Sequence, residues 1–269
     1  MKKLPILLTG TALISIAGMS FAQEPAVVGP NAKLKLGYSS GEDDGGFLTG
    51  SYTAPVLDQF GFQLDIGYDD AGNSSAALGA TKGAALHMFY RDPNRYLIGA
   101  YAHTLDTNSS LGDLKNTRLA VETEFYLDDI TLEAMLGKDN VSIAGSSLDY
   151  DLMRFAFGYF INDNMRITAT YEDSFDLENY GLHLENKMML GSQEVGLFLS
   201  HKDGDAGDVT SFGATFYFGT NGLSLKDAQR KADPSDKFDS PSRNGLYEAE
   251  IQARLDPKDD YGCVMYCDF

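Results

Sequence analysis

The chain has 269 residues, and its acidic side chains outnumber the basic ones so far that the net charge is -18. That sign excludes nucleic acid as a partner, because nucleic acid recruits basic surfaces. Glycine (28), tyrosine (15) and phenylalanine (16) are abundant, tryptophan is absent, and no stretch holds the ~20 consecutive apolar residues of a membrane helix, a composition that suits an all-β chain.

Residues 1–22 read as an export signal. Lys2 and Lys3 give a positive start, residues 4–19 an apolar run, and Ser20-Phe21-Ala22 a small-x-small cleavage site, so the mature chain is expected to begin at Gln23. Pro5, Thr9, Gly10, Ser15 and Gly18 interrupt the run, which argues against a retained anchor. No cysteine follows the site to carry a lipid, and residues 23–30 read as a short linker.

From residue 31 to 218 apolar and polar residues alternate with a period of two, the mark of strands, since a helix would gather its apolar positions every three or four residues. The predicted strands are 32–39, 46–54, 60–68, a glycine- and alanine-rich strand ending at Tyr90, 95–105, 114–127 and 130–138. The clearest segment is the hairpin 149–172, turned by Asn162-Asp163-Asn164. Phe155, Phe157, Tyr159, Ile161, Ile167 and Tyr171 share one face, and Arg154, Ala156, Gly158, Arg166, Thr168 and Glu172 share the other. Three more strands follow, around Tyr180–Lys187, around Val195–Leu199 and over 209–218.

That makes about twelve strands, an even number as single-chain bacterial barrels require. Connections after even strands are short, whereas those after odd strands are mostly longer, acidic and rich in Gly, Ser and Asn. Outer-membrane barrels show this asymmetry, with short periplasmic turns and longer outside loops. A soluble β-sandwich would also alternate its residues but has no reason to alternate its turn lengths. An exported chain without membrane helices that enters a bilayer must close into a barrel, because only helices and barrels satisfy every backbone polar group there.

The signal at 1–22, the alternating strands, and a final strand ending Phe216-Tyr217-Phe218 together resemble the outer-membrane β-barrels of Gram-negative bacteria, the broad porin-like class, over residues 31–218. The resemblance implies a closed antiparallel transmembrane β-barrel of the cell outer membrane. It also implies contact with outer-membrane lipid and lipopolysaccharide, and handling by the barrel assembly machinery. The chain departs from the class in two ways. Without tryptophan, Tyr38, Tyr52, Tyr68, Tyr90, Tyr96 and Phe60 would form the interfacial girdles. A tail, 219–269, also follows the last strand. Phe269 is a terminal aromatic, but residues 262–268 lack a strand's alternation.

The tail reads as polar, mostly irregular or helical, and periplasmic. Ser224 can cap a short helix over 225–232, which Pro234 ends. Residues 233–244 read as linker, and 246–255 as a second short helix that could dock in the barrel mouth or on a periplasmic partner. Cys263 and Cys267 could form a local disulfide in an oxidising compartment.

The face predicted to point inward carries charge. Arg118, Glu122, Glu124, Glu133, Arg154, Arg166, Glu172, Glu185 and Lys187 are the candidate pore-lining residues, joined on that face by Lys33, Lys35, Asp65 and Glu194. Such a lining either makes a narrow polar pore whose charged rings bias passage or forms a paired network that fills the barrel; about twelve strands lie between the filled and the wide-open sizes. The acidic loops, with Glu42, Asp43, Asp44, Asp69, Asp70, Asp106, Asp113, Asp139, Asp173, Asp176, Asp203, Asp205 and Asp208, are solvated or attract cations. Asp203, Asp205 and Asp208 lack the later Glu of a calcium loop, and His87, His103, His183 and His201 form no metal-ligand pair. No catalytic residue, metal site or cofactor is therefore expected. The leading function is passive diffusion of small polar solutes; the alternative is a non-conducting structural or surface-interaction barrel acting through its acidic loops or tail.

Overall fold

A computed structural model describes residues 24–41, 44–70, 78–109, 114–143, 146–205 and 207–238. The export signal, the second tail helix and the Cys263–Cys267 pair lie outside the described residues. The strands are β1 (Asn31–Gly41), β2 (Gly45–Leu57), β3 (Phe60–Asp69), β4 (Leu78–Asp92), β5 (Tyr96–Ser109) and β6 (Leu114–Leu127). They continue with β7 (Ile130–Ile143), β8 (Ser146–Asn162), β9 (Met165–Ser174), β10 (Leu177–Leu190), β11 (Gln193–Gly204) and β12 (Gly207–Phe218). Each strand pairs antiparallel with the next, and β1 pairs with β12, Ala32 opposite Phe218 and Leu36 opposite Ala214. Twelve strands thus close without an edge.

Several strands outrun their predicted ends on the side away from the short turns. β5 reaches Ser109 and β7 reaches Ile143, while Asp203 and Asp208 pair within β11 and β12. As a result, the β7–β8 and β11–β12 connections, expected to be longer, are as short as the turns at the other end, and the β9–β10 connection is short as expected. The β9–β10 turn achieves this with Phe175 (φ 60) and Asp176 (φ 61) both left-handed, the geometry of a two-residue hairpin whose twist matches its strands. Asp139 and Asp69, expected in acidic loops, are strand residues buried on the inner face. Continued pairing satisfies their backbone groups, and for Asp139 a lumen arginine draws the side chain inward.

The outer face is apolar. Leu119 is 66% exposed, Ile66 60% and Phe157 47%, values that on a water-facing surface would amount to an aggregation site. Aromatic side chains ring the belt at both margins. Phe60 lies 5.3 Å from Tyr90 near the turn end; Tyr171 lies 5.4 Å from Tyr180, and Tyr38 6.2 Å from Phe212, near the loop end. The predicted girdle residues Tyr38, Tyr52, Tyr68 and Phe60 all face outward and exposed.

Past β12 the chain turns back under the barrel. Helix α1 (Leu225–Lys231) begins where expected, with Ser224 as N-cap accepting a hydrogen bond from the Asp227 amide. The helix lies across the turn end. Asn164 Oδ1 accepts from the Leu225 amide at 3.2 Å, Lys226 Nζ meets Asp129 at 2.7 Å, and Arg230 donates to the Ile130 carbonyl at 3.0 Å. The Val28 amide donates to the Lys231 carbonyl at 2.8 Å, and Ala26 and Val27 pack with Phe89, Leu97 and Tyr126, so the segment before β1 covers the same mouth.

Candidate functional site: a polar lumen entered by the tail

The nine residues predicted to line a pore all sit on inner-face positions; eight are buried and Arg154 is half-buried. They do not stand as separate rings around an open bore. Arg118 grips Asp139 with two bonds, Nε to Oδ1 at 2.8 Å and Nη2 to Oδ2 at 3.0 Å, and reaches Glu172 at 3.1 Å. Arg166 donates to Glu133 at 2.6 Å, and Arg154 lies 3.7 Å from both Glu133 and Glu172. Lys187 meets Glu194 at 2.6 Å and donates to the Leu223 carbonyl at 2.7 Å, while Glu185 accepts from the Tyr217 hydroxyl. The bidentate Arg118–Asp139 pair fixes geometry as well as charge. Room for them comes from small residues: at Gly158 a Cβ would fall on the Arg166 guanidinium, so the glycine lets that side chain lie flat against the wall.

The segment following α1 was expected to be linker, yet residues 233–238 enter the lumen. Asp233, Ser235, Lys237 and Phe238 are buried there. Polar composition alone suggested solvent, but here the polar groups find partners inside the barrel. Lys33 Nζ meets Asp233 Oδ2 at 2.6 Å and also contacts Asp236, and Lys35 Nζ lies 3.4 Å from Asp236 Oδ2. On the opposite side Lys237 Nζ sits 2.7 Å from Glu124 and 3.2 Å from Glu122. Ser235 donates its amide to Glu124 at 3.2 Å, and its hydroxyl accepts from Arg166 at 3.2 Å. Phe238 packs among Tyr101, Leu105 and the His103 ring, whose centroid is 6.1 Å from its own. The tail therefore presents carboxylates to the lysines of β1 and an ammonium to the glutamates of β6, opposite in sign to each wall.

Two constellations escaped the sequence reading. One is the buried chain in which His87 Nε2 lies 3.0 Å from Asp65 and Nδ1 lies 2.9 Å from Glu122; these residues come from β3, β4 and β6, and only the register brings them together. The other is the docked tail, signalled in the sequence by nothing stronger than the Asp236-Lys237-Phe238 run. A cavity of about 160 Å³ remains beside the tail, bordered by Lys33, Lys35, Arg154, Glu172, His183 and Asp236.

No protein-family model matches the sequence, and no curated protein sequence matches it. Among solved structures, the KdgM porin in complex with disordered oligogalacturonate superposes with a TM-score of 0.50 at 8% identity, over 68% of this chain and 98% of that one. The translocator domain of the autotransporter NalP from Neisseria meningitidis gives 0.49 at 11% identity, over 70% of this chain and 87% of that one. The closed ring of twelve strands, the apolar belt with its aromatic margins and this likeness of architecture together identify the chain as a β-barrel of the outer-membrane fold.

Proposed function

We propose that this barrel passes small polar solutes by diffusion across the outer membrane, and that residues 233–238 close the passage at rest. The observation carrying this reading is the segment that lies between the charged walls of β1 and β6: a single unpaired stretch of chain, held there through barrel and tail side chains. Such a filler can leave without breaking the sheet. The shared fold with a porin supports extending a passage role to this chain, at the level of architecture. Export by the N-terminal signal, lipid and lipopolysaccharide around the belt, and insertion by the barrel assembly machinery belong to the same reading; catalysis does not.

The test is planar-bilayer conductance of refolded mature protein and of a variant ending at Ala232, each shown to be folded by its heat-dependent gel shift. The expected result is small or rare steps from the full chain and larger, discrete steps from the truncated one. Silence from both would overturn the proposal. It would favour a non-conducting structural barrel, a reading to which the tightly paired lumen arginines already lend weight.

A further inference from the structure

We propose that Lys33 and Lys35 form a carboxylate-binding site in the lumen, held at rest by Asp233 and Asp236 of the tail and taken over by a small dicarboxylate solute. The proposal rests on the reading of the barrel as a passage and adds the class of solute that opens it. Lys33 and Lys35 are two residues apart on β1, so both side chains leave the same face of the strand. Their cross-strand neighbours are Ser51 and Tyr217 for Lys33, and Thr49 and Thr215 for Lys35; none is acidic. The carboxylates that meet Lys33 come from the tail, 200 and 203 positions away in sequence. Both lysines are buried, and at Lys33 the negative charge supplied by the tail is what makes the burial tolerable.

The chemistry of the donors separates this site from the rest of the lumen. Arg118 is locked to Asp139 by a two-pronged bond that no passing solute would displace. A lysine ammonium is a point charge with rotatable donors and accepts a new carboxylate without a set geometry. An exchange route also exists. Asp236 retains 31% of its side-chain exposure and borders the cavity of about 160 Å³, whose lining also includes Arg154 and His183. A solute carboxylate entering that cavity arrives beside Asp236, within reach of the lysine pair. A tethered aspartate competes at an effective concentration in the millimolar range, so displacement calls for millimolar solute. Binding that weak is also what passage through a site requires.

The experiment records single channels of the full chain with millimolar succinate added to one side, against acetate and putrescine at matched ionic strength. Succinate is expected to raise the open fraction several-fold, acetate much less, and putrescine not at all. In Lys33→Gln/Lys35→Gln the succinate response should vanish, whereas Asp236→Asn should be open without it. A response equal for succinate and acetate, or one that survives in the double-lysine variant, overturns the proposal. The form ending at Ala232 separates the two claims. If it conducts while succinate leaves the full chain unmoved, the carboxylate site is wrong and the passage stands. If it is silent, the passage reading itself fails.

Discussion

Lys237 shows how much one side chain can hold. Its ammonium is the cation that Glu122 and Glu124 share, and Glu122 also faces His87 at 2.9 Å. Removing one partner of a buried charge pair costs about 3–5 kcal/mol, because the other charge is left buried. Lys237→Met should therefore release the tail: amides of residues 233–238 should exchange hydrogen much faster, while those of β5 to β7 keep their protection. Lys237→Arg, which retains the charge, should keep most of the protection, and unchanged exchange in the methionine variant would show that the pair does not hold the tail. The inward placement of Glu122 and Glu124 was legible from alternation, which depends only on neighbours along one strand. Their partner was not, because Glu124 and Lys237 lie 113 positions apart and the segment bearing Lys237 has no periodicity to betray a buried face.

At the scale of elements, strands and tail differ in how they are secured. A strand is fixed by a ladder of backbone bonds on both sides, which is why its identity could be read from the sequence, whereas its end depends on how far pairing continues and so could not be placed. The tail inside the barrel depends on charge, and pH therefore acts on it. Burial pushes Asp233 up to about 6 from 3.8, aided by the neighbouring Asp236 and against the pull of Lys33. For Asp236, burial is outweighed by Lys33 and Lys35, which hold its carboxyl below the usual 3.8. The two work in opposite directions. Docking takes up a proton at Asp233, so its contribution is full below 3.8 and is lost as pH rises through about 6. At Asp236 docking favours the ionised form, so that contribution is full above 3.8 and is lost as pH falls below it. The tail should sit most firmly between those limits. Single-channel records should show the closed fraction rising from pH 8 to pH 5 and falling again toward pH 3; a closed fraction that falls steadily from pH 8 to pH 5 would contradict this.

For the whole molecule, the lipid-facing belt is the strongest constraint. Val121 is 57% exposed near the middle of β6, opposite Ala100 and Leu136. Val121→Arg should destabilise the barrel by about 2–4 kcal/mol, the effect of a cation at mid-membrane, while Leu57→Arg at the turn end of β2 should change stability by about 0–1 kcal/mol. Urea titration of protein folded into vesicles measures both, and equal effects would mean that the belt is not centred as described. The belt was legible because outward and inward residues alternate without a break. The fate of the lumen was not, since the same charged inner face suits an open bore or a filled one, and the deciding residues lie outside the barrel sequence.

The ring closes where β1 meets β12, the first strand joining the last across the longest separation in the fold. The tail leaves β12 at Phe218 and fastens back onto β1 from within, through Lys33 and through Asn31 Nδ2, which donates to the Ala232 carbonyl at 3.3 Å. In the folded molecule the two ends are thereby linked twice, by the ladder and by the docked tail. Loop-closure entropy rises with the length of chain to be closed. The cost of that closure is met once for both contacts, so the tail adds a second fastening from within to a seam that the β1–β12 ladder already holds.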